Sequence, residues 1–161
     1  MQLHTIDPVF DTDSRVLILG SFPSVASRET GFFYGHPQNR FWRVTAAVME
    51  ENMPVTIEEK RAFLLRSHIA LWDVIAACEI NGSADSTIRN AVPVDLTPIL
   101  EVARIEQIFV NGKTAEKYYN VYLRDTVGRD AIVLPSTSPA NAAWSVERLI
   151  DAWQVIRSGD A

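Results

Sequence analysis

Four short apolar runs, each stopping at a polar or turn-forming residue, most constrain what this chain can fold into. The first is Arg15-Val16-Leu17-Ile18-Leu19-Gly20 and the second His68-Ile69-Ala70-Leu71-Trp72-Asp73. The third is Gln107-Ile108-Phe109-Val110-Asn111-Gly112 and the fourth Ala131-Ile132-Val133-Leu134, which runs into Pro135. Runs this short and this apolar read as strands buried on both faces. Helical patterns separate them. Arg40 to Met49 places Phe41, Val44, Ala47 and Val48 on one side. Thr56 reads as an N-cap with Glu59 as its capping-box partner, starting a helix to about Ser67 that turns Phe63 and Leu64 inward. Asp95 to Ala103, Thr114 to about Arg124 and Ser145 to Arg157 are the remaining helices. The last carries an apolar stripe of Val146, Leu149, Ile150, Trp153 and Ile156, which suits a core-facing helix.

Strands alternating with amphipathic helices imply an α/β fold whose parallel sheet is covered on both faces. In such sheets ligands bind beyond the carboxyl ends of the strands. The clusters Gly20-Ser21-Phe22-Pro23-Ser24, Asp73, Asn111-Gly112 and Pro135-Ser136-Thr137-Ser138-Pro139 therefore converge on one rim.

Composition narrows the possible chemistry. A length of 161 residues, with 47% apolar and 22% charged residues, predicts one soluble domain over residues 1–161. The lone Cys78 excludes an internal disulfide and any four-cysteine metal site, and reads as a small buried hydrophobe. His4, His36 and His68 lack metal-ligand spacing, so neither a metal nor a cofactor is expected. With no signal-peptide pattern and no run near the roughly 18 apolar residues of a membrane span, the reading is cytoplasmic and without a membrane partner. The net charge of −5 argues against bulk electrostatic coating of nucleic acid. The charge is uneven, however. Residues 20–43 carry +2 (Arg28, Arg40 and Arg43 against Glu29), and residues 111–124 carry +2 (Lys113, Lys117 and Arg124 against Glu116). The acidity is thus expected away from the rim, leaving a small DNA footprint. Basic residues are 12 Arg to 3 Lys, a bias suited to directed contacts with phosphate or carboxylate.

Two segments at the rim carry the motifs. Gly20-Ser21-Phe22-Pro23-Ser24 leads into Gly31-Phe32-Phe33-Tyr34-Gly35-His36-Pro37-Gln38-Asn39-Arg40-Phe41-Trp42. Its aromatic triplet suits either a pocket that stacks a flat ring or a hydrophobic loop folded onto the sheet. Asn39 suits either a helix cap or a working amide. The segment Leu134-Pro135-Ser136-Thr137-Ser138-Pro139-Ala140-Asn141 is uncharged, and its hydroxyls and free backbone N–H groups could hold phosphate oxygens.

Together these blocks resemble the uracil-DNA glycosylase superfamily, nearest its hypoxanthine (deoxyinosine) branch and the mismatch-specific glycosylases. The most specific match is the H-P-x-N-R-F-W block at His36 to Trp42, followed by Pro135-Ser136-Thr137-Ser138-Pro139-Ala140-Asn141. In order and spacing the resemblance covers about Val16 to Trp153. It implies a three-layer α/β/α sandwich around a four-stranded, mainly parallel sheet. It also implies a cofactor-free, monomeric enzyme of base excision repair that flips a deaminated base out of DNA and hydrolyses its glycosidic bond.

One departure is informative. Uracil-active relatives often hold a water with Asn or Asp at the position of Phe22, and Phe has no group for that task. The hypoxanthine branch uses the Asn of the second block, which maps onto Asn39, acting on the water or on the leaving base. Phe22, Phe33 and Tyr34 become candidate base-stacking residues. Asp73 falls where relatives read the base edge, and its alternative is to cap the turn after the strand. Ser136, Thr137, Ser138, Pro139 and Asn141 map onto the DNA-contacting loop, with Arg40 as a further phosphate contact. Competing functions are a G:U/G:T mismatch uracil/thymine glycosylase and a non-catalytic damaged-DNA-binding relative. An unrelated serine hydrolase would need Ser21 or Ser24 beside His36 or His68, without a G-x-S-x-G elbow.

Overall fold

The computed structural model describes residues 1–158. In chain order its elements begin with β1 (Gln2–Leu3), β2 (Val16–Gly20), α1 (Val25–Thr30), α2 (Phe41–Val48) and α3 (Ile57–Arg66). They continue with β3 (Ile69–Asp73), β4 (Ile75–Glu79), β5 (Arg89–Pro93), α4 (Thr97–Val102) and β6 (Gln107–Asn111). The chain closes with α5 (Lys113–Tyr122), α6 (Arg124–Val127), β7 (Ile132–Leu134), α7 (Val146–Trp153) and α8 (Val155–Ser158).

The central sheet has the order β3-β2-β6-β7 and is parallel throughout. Strands β2, β3 and β6 alternate between two cores, as a period of two requires, whereas in the edge strand β7 Ile132 and Val133 are exposed and only Leu134 is buried, against the expected burial on both faces. Val16 and Ile18 turn to the face covered by Phe41, Trp42 and Val44 of α2, Phe63 and Leu64 of α3, and Leu149 and Trp153 of α7. Leu17 and Leu19 turn to the other face, against Ile99 of α4 and Ala115 and Tyr119 of α5. The result is the expected α/β/α sandwich.

The helix signals act as expected. Thr56 and Glu59 form a capping box, with each side chain accepting from the other's backbone N–H. Two details differ. In α2, Ala47 is exposed, while Trp42, Thr45 and Ala46 are buried. The patterns read as continuous helices at 114–124 and 145–157 each break into two pieces, α5 with α6 and α7 with α8.

A second sheet has no counterpart in the sequence reading. It is antiparallel, of order β1-β4-β5. The stretch holding Cys78 is its middle strand, and Cys78 is fully buried there. The chain does not turn away after Asp73: Val74 and Ile75 donate to the carbonyls of Gly20 and Ser21, which steers β4 past the end of β2. Among the described residues no helix is long and apolar enough to cross a membrane, and no group of three or more His, Cys, Asp or Glu is placed to hold a metal.

Candidate active site

Parallel register brings the strand ends together. Gly20 pairs with Asp73 across β2 and β3, and Asn111 with Leu134 across β6 and β7. A cleft of about 520 Å³ opens over this edge, a volume suited to a small flat ligand. Of the residues expected there, Phe22, Phe33, Tyr34, Asn39, Asp73, Ser136, Thr137, Ser138 and Pro139 line it. Arg40 and Asn141 do not.

Asn39 sits just before α2 and combines its two expected behaviours. Its Oδ1 accepts the Phe41 N–H at 2.9 Å, as a cap would. A backbone N–H can only donate, so this bond fixes the amide orientation. The Nδ2 group is left without a protein partner among the described residues, and the side chain borders the cleft. Asn39 therefore offers the cleft a donor.

Tyr34 is oriented by the same logic. The Thr137 N–H donates to Asn111 Oδ1 at 3.1 Å, which turns Asn111 Nδ2 toward the Thr137 hydroxyl at 3.0 Å and the Tyr34 hydroxyl at 3.1 Å. The Tyr34 oxygen is thus an acceptor from Asn111 and keeps its own proton free. Its ring lies against Phe41 with centroids 4.1 Å apart and planes 16° from parallel. Burial, reinforced by the Asp73 charge, holds the phenol far above its ordinary pKa, so it stays a donor. Tyr34 also has a φ of 52°, a conformation costly for a bulky residue. Phe33 is buried in the cleft wall, and its carbonyl accepts the Trp42 indole N–H at 3.2 Å. Phe22 is also buried and lines the cleft, with the Arg28 guanidinium 5.7 Å from its ring centre.

Asp73 does not cap a turn. Its Oδ2 lies 2.8 Å from His4 Nε2, with both side chains buried. The Ile6 N–H donates to His4 Nδ1 at 3.3 Å, so Nε2 bears the proton and donates to the carboxylate. Asp73 Oδ1 has no protein partner among the described residues. His4 also meets Phe22 edge-on, with centroids 6.0 Å apart.

His4 and Asp85 are the site residues that sequence reading missed. His4 is 69 positions from its partner and is delivered by β1, a strand too short to leave a pattern. Asp85 lies in the turn-rich 80–88 stretch and accepts the Ser21 hydroxyl at 3.0 and 3.1 Å. Burial pushes its carboxyl above the ordinary range; Asp73 adds to this, while the Ser21 and Thr114 hydroxyls oppose it. Both acids line the cleft, two carboxylates that the charge sums over residues 20–43 and 111–124 do not include.

The 135–144 loop differs from expectation in several ways. Arg40 is committed inside the fold: it donates to the carbonyls of Thr137, Ser138 and Asn141 at 3.3, 2.7 and 3.1 Å, and to that of Trp144. With four of its five N–H groups engaged, it shapes the loop. Thr137 is fully buried, with its hydroxyl and amide both taken by Asn111. Asn141 points back into the loop, its Nδ2 on the Ser136 carbonyl at 3.0 Å. Several of the loop's backbone N–H groups are also engaged. Those of Ser138 and Ala140 bond the Ser136 and Ser138 hydroxyl oxygens, both at 3.1 Å. Each serine still has its own O–H to donate, and Pro139 and Ala140 form the exposed tip.

The serine-hydrolase alternative loses its geometry. Ser21 bonds Asp85 and Ser24 bonds Ser27, and among the described residues neither meets a histidine.

Comparison with known proteins agrees with this architecture. A family model described as the uracil DNA glycosylase superfamily matches residues 8–157. A protein named hypoxanthine DNA glycosylase from Methanosarcina acetivorans is 36% identical over 150 residues, covering 92% of this chain and 93% of the relative. One of the same name from Methanosarcina barkeri is 31% identical over 143 residues, covering 88% and 89%. A solution NMR structure from Methanosarcina acetivorans, assigned by name to the uracil DNA glycosylases, superposes with a TM-score of 0.79 at 33% identity, covering 94% of this chain and 93% of that one. The sheet order, the converging rim motifs and these matches make the chain a member of the uracil DNA glycosylase superfamily.

Proposed function

We propose that this protein is a DNA glycosylase of base excision repair that removes hypoxanthine from DNA, working as a cytoplasmic monomer without a cofactor. The observation that carries the reading is the chemistry of Asn39. Its amide NH2 is an unengaged donor at the cleft among the described residues, whereas Phe22, at the water-holding position of uracil-active relatives, has no polar atom. The names of the two Methanosarcina relatives support the choice of base.

In the reaction, water adds its hydroxyl to C1′ as the N9–C1′ bond breaks. The bonding electrons leave with the purine, which takes up the remaining proton. Negative charge therefore develops on the departing base, and a fixed N–H donor stabilises it more than it stabilises the ground state. Asn39 acts on the leaving base, because its fixed orientation offers the cleft N–H groups. Phe22 and Phe33 flank the flipped base and Asp73 accepts its N–H. The Ser136 and Ser138 hydroxyls and the Pro139 tip meet the DNA.

The test is a set of duplexes bearing single deoxyinosine, uracil, xanthine or G·T lesions, scored for abasic sites. Hypoxanthine release by the wild type, reduced on the order of 10²-fold or more in Asn39→Ala, is the expected result. Abasic sites only in uracil or thymine substrates would overturn the choice of base. An Asn39→Ala enzyme as fast as wild type would overturn the mechanism.

A further inference from the structure

Gly20 marks where two groups of opposite hydrogen-bonding character meet. A Cβ built there would lie 2.4 Å from Asp73 Oδ1 and 2.9 Å from the Tyr34 hydroxyl. Both atoms therefore border the same small space at the floor of the cleft. No hydrogen bond joins them. Among the described residues Asp73 Oδ1 is an acceptor without a partner, because His4 occupies only Oδ2. Among the same residues the Tyr34 hydroxyl is a donor without a partner, because Asn111 Nδ2 occupies its oxygen. Each is held from behind by a residue whose orientation is set by a backbone N–H: Ile6 for His4, Thr137 for Asn111. The strained φ of Tyr34 is a further sign that this placement is kept at a cost.

We propose that Tyr34 and Asp73 together read the lactam edge of the flipped base: Tyr34 donates to O6 and Asp73 Oδ1 accepts N1–H. His4 is a positioning residue that keeps Oδ1 turned to the base. This rests on the hypoxanthine reading and deepens it by supplying a specific O6 partner. It also predicts that the site refuses adenine. Adenine presents N1 as an acceptor and N6 as a donor, so Asp73 would face a lone pair and Tyr34 would face an N–H. Buried polar groups left in mismatched contact discriminate strongly.

Equilibrium binding separates this from the glycosylase reading. The probes are duplexes carrying a hydrolysis-resistant 2′-fluoro analogue of deoxyinosine, or the same analogue of the unsubstituted purine nucleoside, which lacks O6 and N1–H. Tyr34→Phe keeps the ring on Phe41 and removes only the hydroxyl. It is expected to weaken inosine binding about tenfold or more and to leave binding of the unsubstituted purine within about twofold. His4→Ala should show the same selective loss, and His4→Gln, which keeps an N–H donor, should recover part of it. Equal effects on both duplexes, or none on inosine, would overturn the proposal. A wild type with this binding pattern that releases no hypoxanthine from cleavable DNA would overturn the glycosylase reading and leave base-edge recognition standing.

Discussion

The backbone N–H of Arg40 and its guanidinium Nε both donate to one atom, the carbonyl oxygen of Thr137, at 3.1 and 3.3 Å. The start of α2 and the loop after β7 are therefore locked as one body. Arg40→Lys replaces a planar fork with a point charge that cannot span four carbonyls. We expect it to cost about 1–3 kcal/mol of stability and to weaken DNA binding, with new proteolytic cleavage within residues 135–144. Thermal melting, DNA titration and limited proteolysis check the three parts.

Gly20→Ala places a methyl group in the space shared by Asp73 and Tyr34. Because His4 fixes Asp73 from behind, the carboxylate cannot retreat freely. Base release should fall on the order of 10²-fold while the far-ultraviolet circular dichroism stays that of the wild type. Single-turnover rates measured with that spectrum decide it.

Asp85→Asn removes a carboxyl whose folded pKa is raised above its ordinary 3.8 by burial and by Asp73, against the Ser21 and Thr114 hydroxyls. A raised carboxyl favours the fold below the unfolded pKa, and that contribution is lost as pH rises through the folded value. The variant should therefore melt higher than wild type at pH 7 and the same at pH 3. The gain will be small, because Asp85 is partly open to solvent. Losing one negative charge from the cleft should also tighten DNA binding at low salt. Melting curves at the two pH values and a salt titration test both expectations.

Thr56→Ala breaks the capping box of α3, far from the cleft. It should cost about 1 kcal/mol and leave base release unchanged. Denaturant unfolding beside a glycosylase assay separates the two effects.

How much of this was legible in the sequence follows from the range of each interaction. The central strands and helix caps are written in neighbouring residues, as with Val16 to Gly20 and with Thr56 and Glu59. The convergence of Gly20, Asp73, Asn111 and Ser136 followed from assuming a parallel sheet. The antiparallel sheet escaped because β1 is two residues long and β5 is mostly exposed, so neither leaves a burial pattern. The His4–Asp73 pair escaped with it. The bonds of Arg40 and Thr137 within the loop were not legible for a different reason. Residue type announces that an arginine or threonine can bind phosphate, but only the packed loop shows that its hydrogen bonds are already committed.

The two-residue strand β1 has one more consequence. It holds His4 beside Asp73 through pairing with Ala77 and Cys78, and both its residues are exposed. Short exposed segments detach in local openings that need far less free energy than global unfolding. On warming, the β1 pairing is expected to open before the central sheet, leaving His4 held beside Asp73 only through its buried ring and its neighbour Ile6, whose carbonyl accepts the Trp72 indole N–H. Base release is then expected to fall at temperatures below that at which the sheet melts, and a temperature series of single-turnover rates beside the melting curve checks it.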